Sequence, residues 1–558
     1  MKVAGPEHER LPPTLPRVPA DAGPTVRDAT FAVLRHHGLT TLFSNPGSTE
    51  VPFLAGLPDD LEFVLALHEA AVVGLATGWA LGREAPALAL LHTTAGLGNA
   101  VGALATARVN RAPLVVIVGQ QDRRHLALEP FLTGRLRGLA GDYPVWTGEP
   151  ARPQDVPGLV ARAAHEAATR RGPALVLVPM DDWLAPAADE PPAAPQRLVR
   201  AAAADEAAVD ELAALLEEAR RPALVAGAGA DEPATWTALT ALAQRLGCPV
   251  FQESFGARAG FPQDHPCFAG FLPADRPRLR ETLRPFDVVL AVGAPVFRQY
   301  PFAPGPLVDP GTRVAVLTDD PDEAHRSPAQ LAVLAAPAPV CAALAARLDG
   351  RSDAATASPG TRRPASPLDP PPPGGPMRAG HVLAALADRL PADAIVLEET
   401  PSSRPELHAR LPARAPLGFL SAAMGGLGFA VPAAIGLRLA RPDRPVVAVV
   451  GDGSSLYAVQ ALWSAARYRA GALVVVLANG RYAIMDRLAE RQGAAAPWPA
   501  FEEVDVRAIA TGFGCPAVRV DDHGALLEVL DDVVGGLAGR TEPLVLVADV
   551  EPDAAFTP

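Results

Sequence analysis

The sequence predicts three α/β domains with parallel sheets, and three observations carry that expectation. Short Val, Leu and Ile runs end in glycine and alternate with helical stretches, as in LVVIVG (114–119), DVVLAVG (287–293) and LVVVLANG (473–480). Continuous apolar runs of this kind suit strands buried on both faces. The length, 558 residues, exceeds what one core serves and suits roughly three domains of about 150 to 200 residues. Two Pro-rich stretches, LAPAADEPPAAPQ at 184–196 and SDAATASPGTRRPASPLDPPPPGGP at 352–376, divide the chain, because proline stiffens segments that join no core.

In chain order, residues 1–24 read as a disordered tail, rich in proline and charge and without the apolar core of a signal peptide or anchor. Domains are expected over 25–183, 197–350 and 377–552, with a Pro-rich linker at 351–376. Two windows without charge, 85–107 and 418–437, have the length of a membrane span. Their Gly, Pro, Thr and Asn content, with His92 in the first, reads better as buried strand–turn–helix units whose small residues permit close backbone approach. The segment VAGAGADEPA (225–234) lacks the full glycine spacing of a dinucleotide turn and reads as a structural strand–turn–helix.

Composition narrows the function classes. Lys plus Arg number 49 against 62 Asp plus Glu, a net charge of -13 without a basic block, so nucleic acid and membrane are not expected partners. Cys248, Cys267, Cys341 and Cys515 show no CxxC spacing, which argues against a zinc cage and a disulfide framework and suits a reducing, cytoplasmic setting.

An internal echo links the outer domains. At a constant offset of 359 residues, LLHTTAGLGNAVGALATARVNRAPLVVIVGQ (90–120) lies over VVGDGSSLYAVQALWSAARYRAGALVVVLAN (449–479), so that Leu114 falls on Leu473. Both read as strand, tight turn, helix, turn, strand. The first and third domains are expected to be two copies of one type, with a chance match between βαβ units as the alternative.

The run VVAVVGDG (446–453) ends in Asp452 between two glycines, and the next strand of this unit ends at Asn479. A right-handed crossover brings both oxygen donors to one sheet edge, where open α/β sheets bind ligands. One carboxylate and one amide suit Mg²⁺, which completes an octahedron with substrate phosphates. Gly451 and Gly453 let phosphate oxygens approach the backbone beside a helix N-terminus. The alternative is a plain GDG turn with Asp452 as N-cap.

On these residues the chain resembles the thiamine diphosphate (ThDP) enzymes, whose signature is GDG followed one helix and strand later by Asn. The segments SNPGSTEVPFL (44–54), LALHEAAVVGLATG (65–78), LHTTAGLGNAVGAL (91–104), GAPVFR (293–298) and AAMGGLGFAVPAAIG (422–436) extend the resemblance to the benzoylformate decarboxylases, from about Thr25 to Val550. The resemblance implies pyrimidine-binding, central and pyrophosphate-binding domains in that order. It makes Asp452, Asn479 and the carbonyl of Arg481 Mg²⁺ ligands, and places Gly451, Gly453 and Ser454 at the diphosphate. Leu427 would bend the cofactor, and the Gly425 carbonyl would accept from its aminopyrimidine. Glu69 would share a proton with the pyrimidine ring, His92 would transfer protons, and Ser48 would bind the substrate carboxylate. Without the resemblance, Glu69 is a first-turn acid complementing a helix dipole, His92 a core histidine, and Ser48 a helix cap.

The pattern departs in places. The family's second active-site histidine aligns with Tyr300, and its second signature Asn with Ala478. Ser421 stands where the family has an aromatic residue and Ile484 where it has a small one, while Met485 and Leu488 keep the pocket apolar. The implied activity is non-oxidative decarboxylation of a 2-keto acid with an aromatic or branched side chain to an aldehyde and CO₂. The alternatives are a ThDP-dependent carboligase or lyase and a non-catalytic ThDP-binding homologue. The resemblance also implies a homodimer or homotetramer with active sites at the chain interface.

Overall fold

The structure, a computed structural model, describes residues 23–190, 205–348, 368–372 and 374–552. Most of the expected tail 1–24 and much of the segments 184–196 and 351–376 lie outside the described residues. Three six-stranded parallel sheets carry the chain. The first contains Thr41–Ser44, Glu62–Leu65, Ala87–His92, Leu114–Gln120, Trp146–Gly148 and Pro173–Pro179. The third contains Ile395–Glu399, Phe419–Ser421, Val446–Gly451, Leu473–Ala478, Ala517–Val520 and Leu544–Asp549. Both sheets wind in the same spatial order: second, first, third, fourth, sixth, fifth strand. The echo is therefore an identity of topology, and a shift of 359 residues carries Ala87 to Val446, His92 to Gly451 and Leu114 to Leu473.

In the first and third sheets the winding reverses between the first and third strands, so the loops leaving their carboxyl ends open a crevice. In the first domain those loops carry Asn45–Glu50 and His92; in the third they carry Thr400–Ser403 and Asp452.

The charge-free windows are explained by helix packing. Helix Glu69–Arg83 lies against Ala430–Ala440 so closely that a Cβ on Gly78 would sit 2.0 Å from the Ala433 carbonyl oxygen, and one on Gly436 would sit 1.9 Å from that of Leu75. Among the described residues no helix is long and apolar enough to cross a membrane.

The middle sheet orders its strands as sixth, fifth, fourth, first, second, third. After its first strand, Pro222–Ala226, the AGAGA turn packs on Gly293, where φ is +59° and a Cβ would lie 2.4 Å from the Ala230 amide nitrogen. These glycines seat backbone on backbone, in keeping with a structural turn.

One element departs from expectation. The stretch SLYAVQALWSAARYR does not form one helix: Asp452–Ser455, a 3₁₀ turn Leu456–Ala458 and Ala461–Arg467 follow each other. Ser455 Oγ donates to the Asp452 carbonyl at 2.7 Å, a local bond that competes with a continuing helical ladder.

Candidate active site

The third-domain edge is built on Val446–Gly451, buried up to its last residue. Gly451 is the N-cap and Asp452 the first helical residue, so the N-cap alternative for Asp452 does not hold. The Asp452 carboxylate accepts from Gly453 N at 2.8 Å on Oδ1 and from Asn479 N and Gly480 N at 2.9 and 2.6 Å on Oδ2. Burial pushes its pKa up against these three donors. The crossover thus brings Asp452 and Asn479 together on neighbouring strands.

Whether these residues fit a divalent cation can be judged from the donors. A carboxylate offers about four lone-pair positions; three are taken, and the one left is on Oδ1. Among the described residues the Asn479 amide oxygen accepts only from Arg481 N, at 3.1 Å. A cavity of about 350 Å³ opens beside Asp452, Asn479 and Gly480. Among the described residues no group of three His, Cys, Asp or Glu could hold a metal. A cation here would take one carboxylate and otherwise neutral oxygens, a set that suits Mg²⁺ completed by phosphate. A Cβ on Gly451 would meet only Ser454 Oγ, at 3.7 Å, so an anion can approach the backbone. The residues fit the diphosphate and its metal.

The Gly-rich segment 421–430 is gripped from all three domains. Asn110 donates through Nδ2 to the Ser421 carbonyl and accepts from Ala423 N, both at 3.0 Å. Arg298 Nη1, from the middle domain, donates to the Ala423 carbonyl at 2.7 Å. Glu399 accepts from the amides of Gly428, Phe429 and Ala430 at 2.7, 2.8 and 2.7 Å, capping helix Ala430–Ala440; burial lifts its pKa to about 7 against those donors. Between these anchors Gly425 and Gly428 adopt φ of +73° and +89°, which only glycine takes without strain, and Leu427 is half-buried between them.

The first-domain edge gathers Glu69, His92 and Ser48 around one loop. Glu69 opens its helix after the N-cap His68, whose Nδ1 accepts from Ala70 N. The carboxyl is buried and accepts from Asn45 Nδ2 at 3.1 Å and Asn99 Nδ2 at 3.0 Å. His92 is the last residue of its strand. Its Nδ1 lies 2.9 Å from Glu50 Oε2 and 3.0 Å from Thr49 Oγ1. The Glu50 hydrogen bond raises the imidazole pKa over the opposing effect of burial. Nδ1–H is thereby committed to Glu50, and Nε2 has no partner among the described residues.

Glu50 is wholly buried. It also accepts from Gly47 N at 2.8 Å and from the Thr49 hydroxyl. A Cβ on Gly47 would lie 2.4 Å from the His92 ring, so the NPGS glycine gives the imidazole its floor. Ser48 is exposed, and the helix Val51–Leu54 has Glu50 rather than Ser48 at its N-cap position; the capping alternative for Ser48 therefore fails.

The expected pocket residues are more dispersed. Ser421 is buried and its hydroxyl donates to Glu398 Oε2 at 2.9 Å. Ile484 N donates to Ser402 Oγ at 3.0 Å. Met485 and Leu488 lie on helix Ala483–Arg491, which buries none of its residues in this chain. Arg481 is exposed and pairs with Asp486. Tyr300 is 64% exposed on the middle domain, and no hydrogen bond or ring contact among the described residues joins it to His92 or Ser48.

Sequence reading missed Glu50, Asn110, Arg298, Glu398 and Glu399 as site residues. Two signals were present: the polar density of SNPGSTE, and two adjacent acids closing the buried strand IVLEE, where ions are costly unless paired.

Family models for thiamine pyrophosphate enzymes match in three parts: the N-terminal TPP binding domain over 24–138, the central domain over 209–344 and the C-terminal TPP binding domain over 405–548. A benzoylformate decarboxylase of Pseudomonas aeruginosa is 37% identical over 531 residues, covering 94% of this chain and 98% of that protein. The structure of a thiamine diphosphate-dependent 4-hydroxybenzoylformate decarboxylase from Rhodococcus jostii RHA1 superposes with a TM-score of 0.89 at 34% identity, over 95% of this chain and 100% of that one. That of a benzoylformate decarboxylase from Polynucleobacter necessarius gives 0.89 at 31% identity, over 96% and 99%.

Proposed function

This chain belongs to the thiamine pyrophosphate enzyme family, and on that premise we propose that it is a non-oxidative decarboxylase of a benzoylformate-like 2-keto acid, releasing an aldehyde and CO₂. Bound ThDP supplies the carbon nucleophile and electron sink that loss of CO₂ requires. The observation that carries the reading is the seat of His92. A buried carboxylate fixes one imidazole nitrogen and raises its pKa, leaving the other free, which is the arrangement of a residue that moves protons near neutral pH.

The other residues take roles around it. Asn45 and Asn99 hold both oxygens of Glu69, so its carboxyl faces the pyrimidine ring nitrogen in a fixed orientation. Asp452, Asn479 and the Arg481 carbonyl hold Mg²⁺, and Gly451, Gly453 and Ser454 admit the diphosphate oxygens. The Gly425 carbonyl and the Leu427 side chain orient the cofactor's two rings. Ser48 hydrogen-bonds the substrate carboxylate, and Ile484, Met485 and Leu488 wall the side-chain pocket together with Ser421 and Tyr300. The first-domain and third-domain edges meet across two copies of the chain, giving a homodimer that doubles to a homotetramer. Four buried free cysteines suit a cytoplasmic protein.

One observation favours a second outcome. Tyr300 replaces the family's second histidine, and a phenol shuttles protons less readily at neutral pH than an imidazole, so a second carbonyl compound could capture the activated aldehyde unit and give an acyloin. A panel of 2-keto acids, with CO₂ and aldehyde measured together and with aldehyde added in a parallel set, separates these readings. CO₂ with equal aldehyde supports decarboxylation; CO₂ with acyloin and little free aldehyde supports carboligation. No CO₂ from any member, with Glu69→Gln indistinguishable from the parent, would overturn both.

A further inference from the structure

The strands Ile395–Glu399 and Phe419–Ser421 pair so that Glu398 stands opposite Ser421. The Glu398 side chain is fully buried. Ser421 Oγ and Arg404 Nε each donate to its Oε2 at 2.9 Å, and Thr400 N donates to Oε1 at 2.6 Å. Burial alone would push this carboxyl up, but Arg404 and the other donors hold it below the ordinary range. Glu398 is a charged seat beneath Arg404.

Arg404 spends only Nε on that seat. Neither terminal nitrogen has a hydrogen-bond partner among the described residues, and the side chain is 21% exposed. Its guanidinium lies over the Phe255 ring, Cζ 5.5 Å from the centroid. Phe255 is itself 37% exposed and held at φ +53°, a backbone cost for a bulky residue. Arg404 also opens helix Arg404–Arg410, where a cation opposes the helix dipole. Local rules broken together without a packing gain point to function.

The surroundings are those of the expected pocket. Ser402, two residues before Arg404, accepts from Ile484 N and ties this helix to the one carrying Met485 and Leu488. On the other side, Arg298 Nη1 donates to the carbonyls of both Phe255 and Ala423, at 3.1 and 2.7 Å. Ser421 Oγ and Arg404 Nε share the same Glu398 oxygen, and Phe255 lies under the guanidinium, so Arg404 stands beside the residue expected to border the side-chain pocket.

We propose that Arg404, seated on Glu398 and stacked on Phe255, reads the far end of the substrate, and that the preferred 2-keto acid is an arylglyoxylate bearing a carboxylate on the ring remote from the keto group. The free fork of an anchored guanidinium matches a carboxylate with two parallel N–H donors. The inference rests on the reading above that Ser421 and Ile484 border the side-chain pocket.

The test compares benzoylformate with 4-carboxybenzoylformate, kcat and KM measured separately, in the parent enzyme and in Arg404→Met and Arg404→Lys. The parent should prefer the carboxylated acid by roughly tenfold to a hundredfold in kcat/KM, the range for hydrogen bonds to a charged group. Arg404→Met should abolish that preference through KM, and Arg404→Lys should restore part of it. In the parent alone, terephthalate should inhibit benzoylformate turnover more strongly than benzoate does, a measurement that stands even if a variant fails to fold. Benzoylformate turned over at least as well as the carboxylated acid, or benzoate inhibiting as strongly as terephthalate, would overturn this inference and leave the decarboxylase reading standing. No turnover of either acid or of the wider panel would instead sink the decarboxylase reading.

Discussion

Glu253 offers a stability test with a sign that can be worked from the structure. It is buried at the edge of the middle sheet, its Oε1 accepts from Ala228 N at 3.3 Å, and its Oε2 has no hydrogen-bond partner among the described residues although Arg298 Nε is 3.3 Å away. Burial outweighs Arg298 and lifts this carboxyl from its ordinary 4.5 to about 7. At 1.36 kcal/mol per pH unit, ionising it in the folded state costs about 3 kcal/mol. The folded state retains a proton that the unfolded chain releases, so the contribution of Glu253 to stability is fully present below about pH 4.5 and is lost as pH rises to about 7. Glu253→Gln imitates the protonated form. It should match the parent near pH 4.5 and exceed it at pH 8 by about 3 kcal/mol. Arg298 is not stranded in the variant, because it still donates to the carbonyls of Phe255 and Ala423. Asp231 and Glu399, lifted to about 6 and about 7, add slopes common to both proteins, which cancel in the difference. Urea unfolding followed by tryptophan fluorescence across this pH range gives the comparison. A variant less stable than the parent at pH 8, or a constant offset at every pH, would refute the reasoning.

Three further outcomes are expected. Glu50→Gln removes the main cause of the raised His92 pKa, so the alkaline limb of the kcat/KM profile should move to lower pH; an unmoved profile would mean that His92 carries no proton in the reaction. Gly425→Ala meets no atom within 4 Å, so its cost is that of φ +73° alone, about 1 to 2 kcal/mol, and should appear as roughly tenfold weaker ThDP binding in a fluorescence titration. Unchanged affinity would show that this turn does not set the cofactor site. Mixing Glu69→Gln chains with Asp452→Ala chains should recover roughly a quarter of parental activity if each site takes one residue from each copy of a symmetric dimer. No recovery would place both residues in the same chain.

The parts of this protein legible in its sequence are those fixed by short-range pattern. Strands such as Leu473–Ala478 announce themselves because a buried parallel strand needs an unbroken apolar run, and Asp452 and Asn479 are found together because one crossover has one hand. The invisible parts are pairings across long stretches of chain. Nothing near Glu50 says that its carboxylate turns to His92, 42 residues on. Nothing near Asn110 says that its amide holds two backbone groups of residues 421 and 423. The helix expected after GDG is broken into shorter turns, and Ser455 bonds back to the Asp452 carbonyl, a competition with the helical ladder that apolar pattern does not display.

That division also locates the control of the site. The Gly-rich segment 421–430 holds two left-handed glycines, a conformation with little intrinsic preference for one geometry, and so depends on its anchors. Those anchors come from different domains: Asn110 from the first, Arg298 from the middle and Glu399 from the third. Arg298 in turn stands against the unsatisfied Glu253. A change in how the middle domain sits would therefore reach the cofactor segment through the Arg298 guanidinium and through the Ala257 carbonyl, which accepts from Ser421 N at 2.9 Å, without altering any residue expected to touch ThDP. The middle domain's contribution is mechanical: its glycine-lined turn is filled by its own backbone, and it grips the cofactor segment through the Arg298 guanidinium and the Ala257 carbonyl.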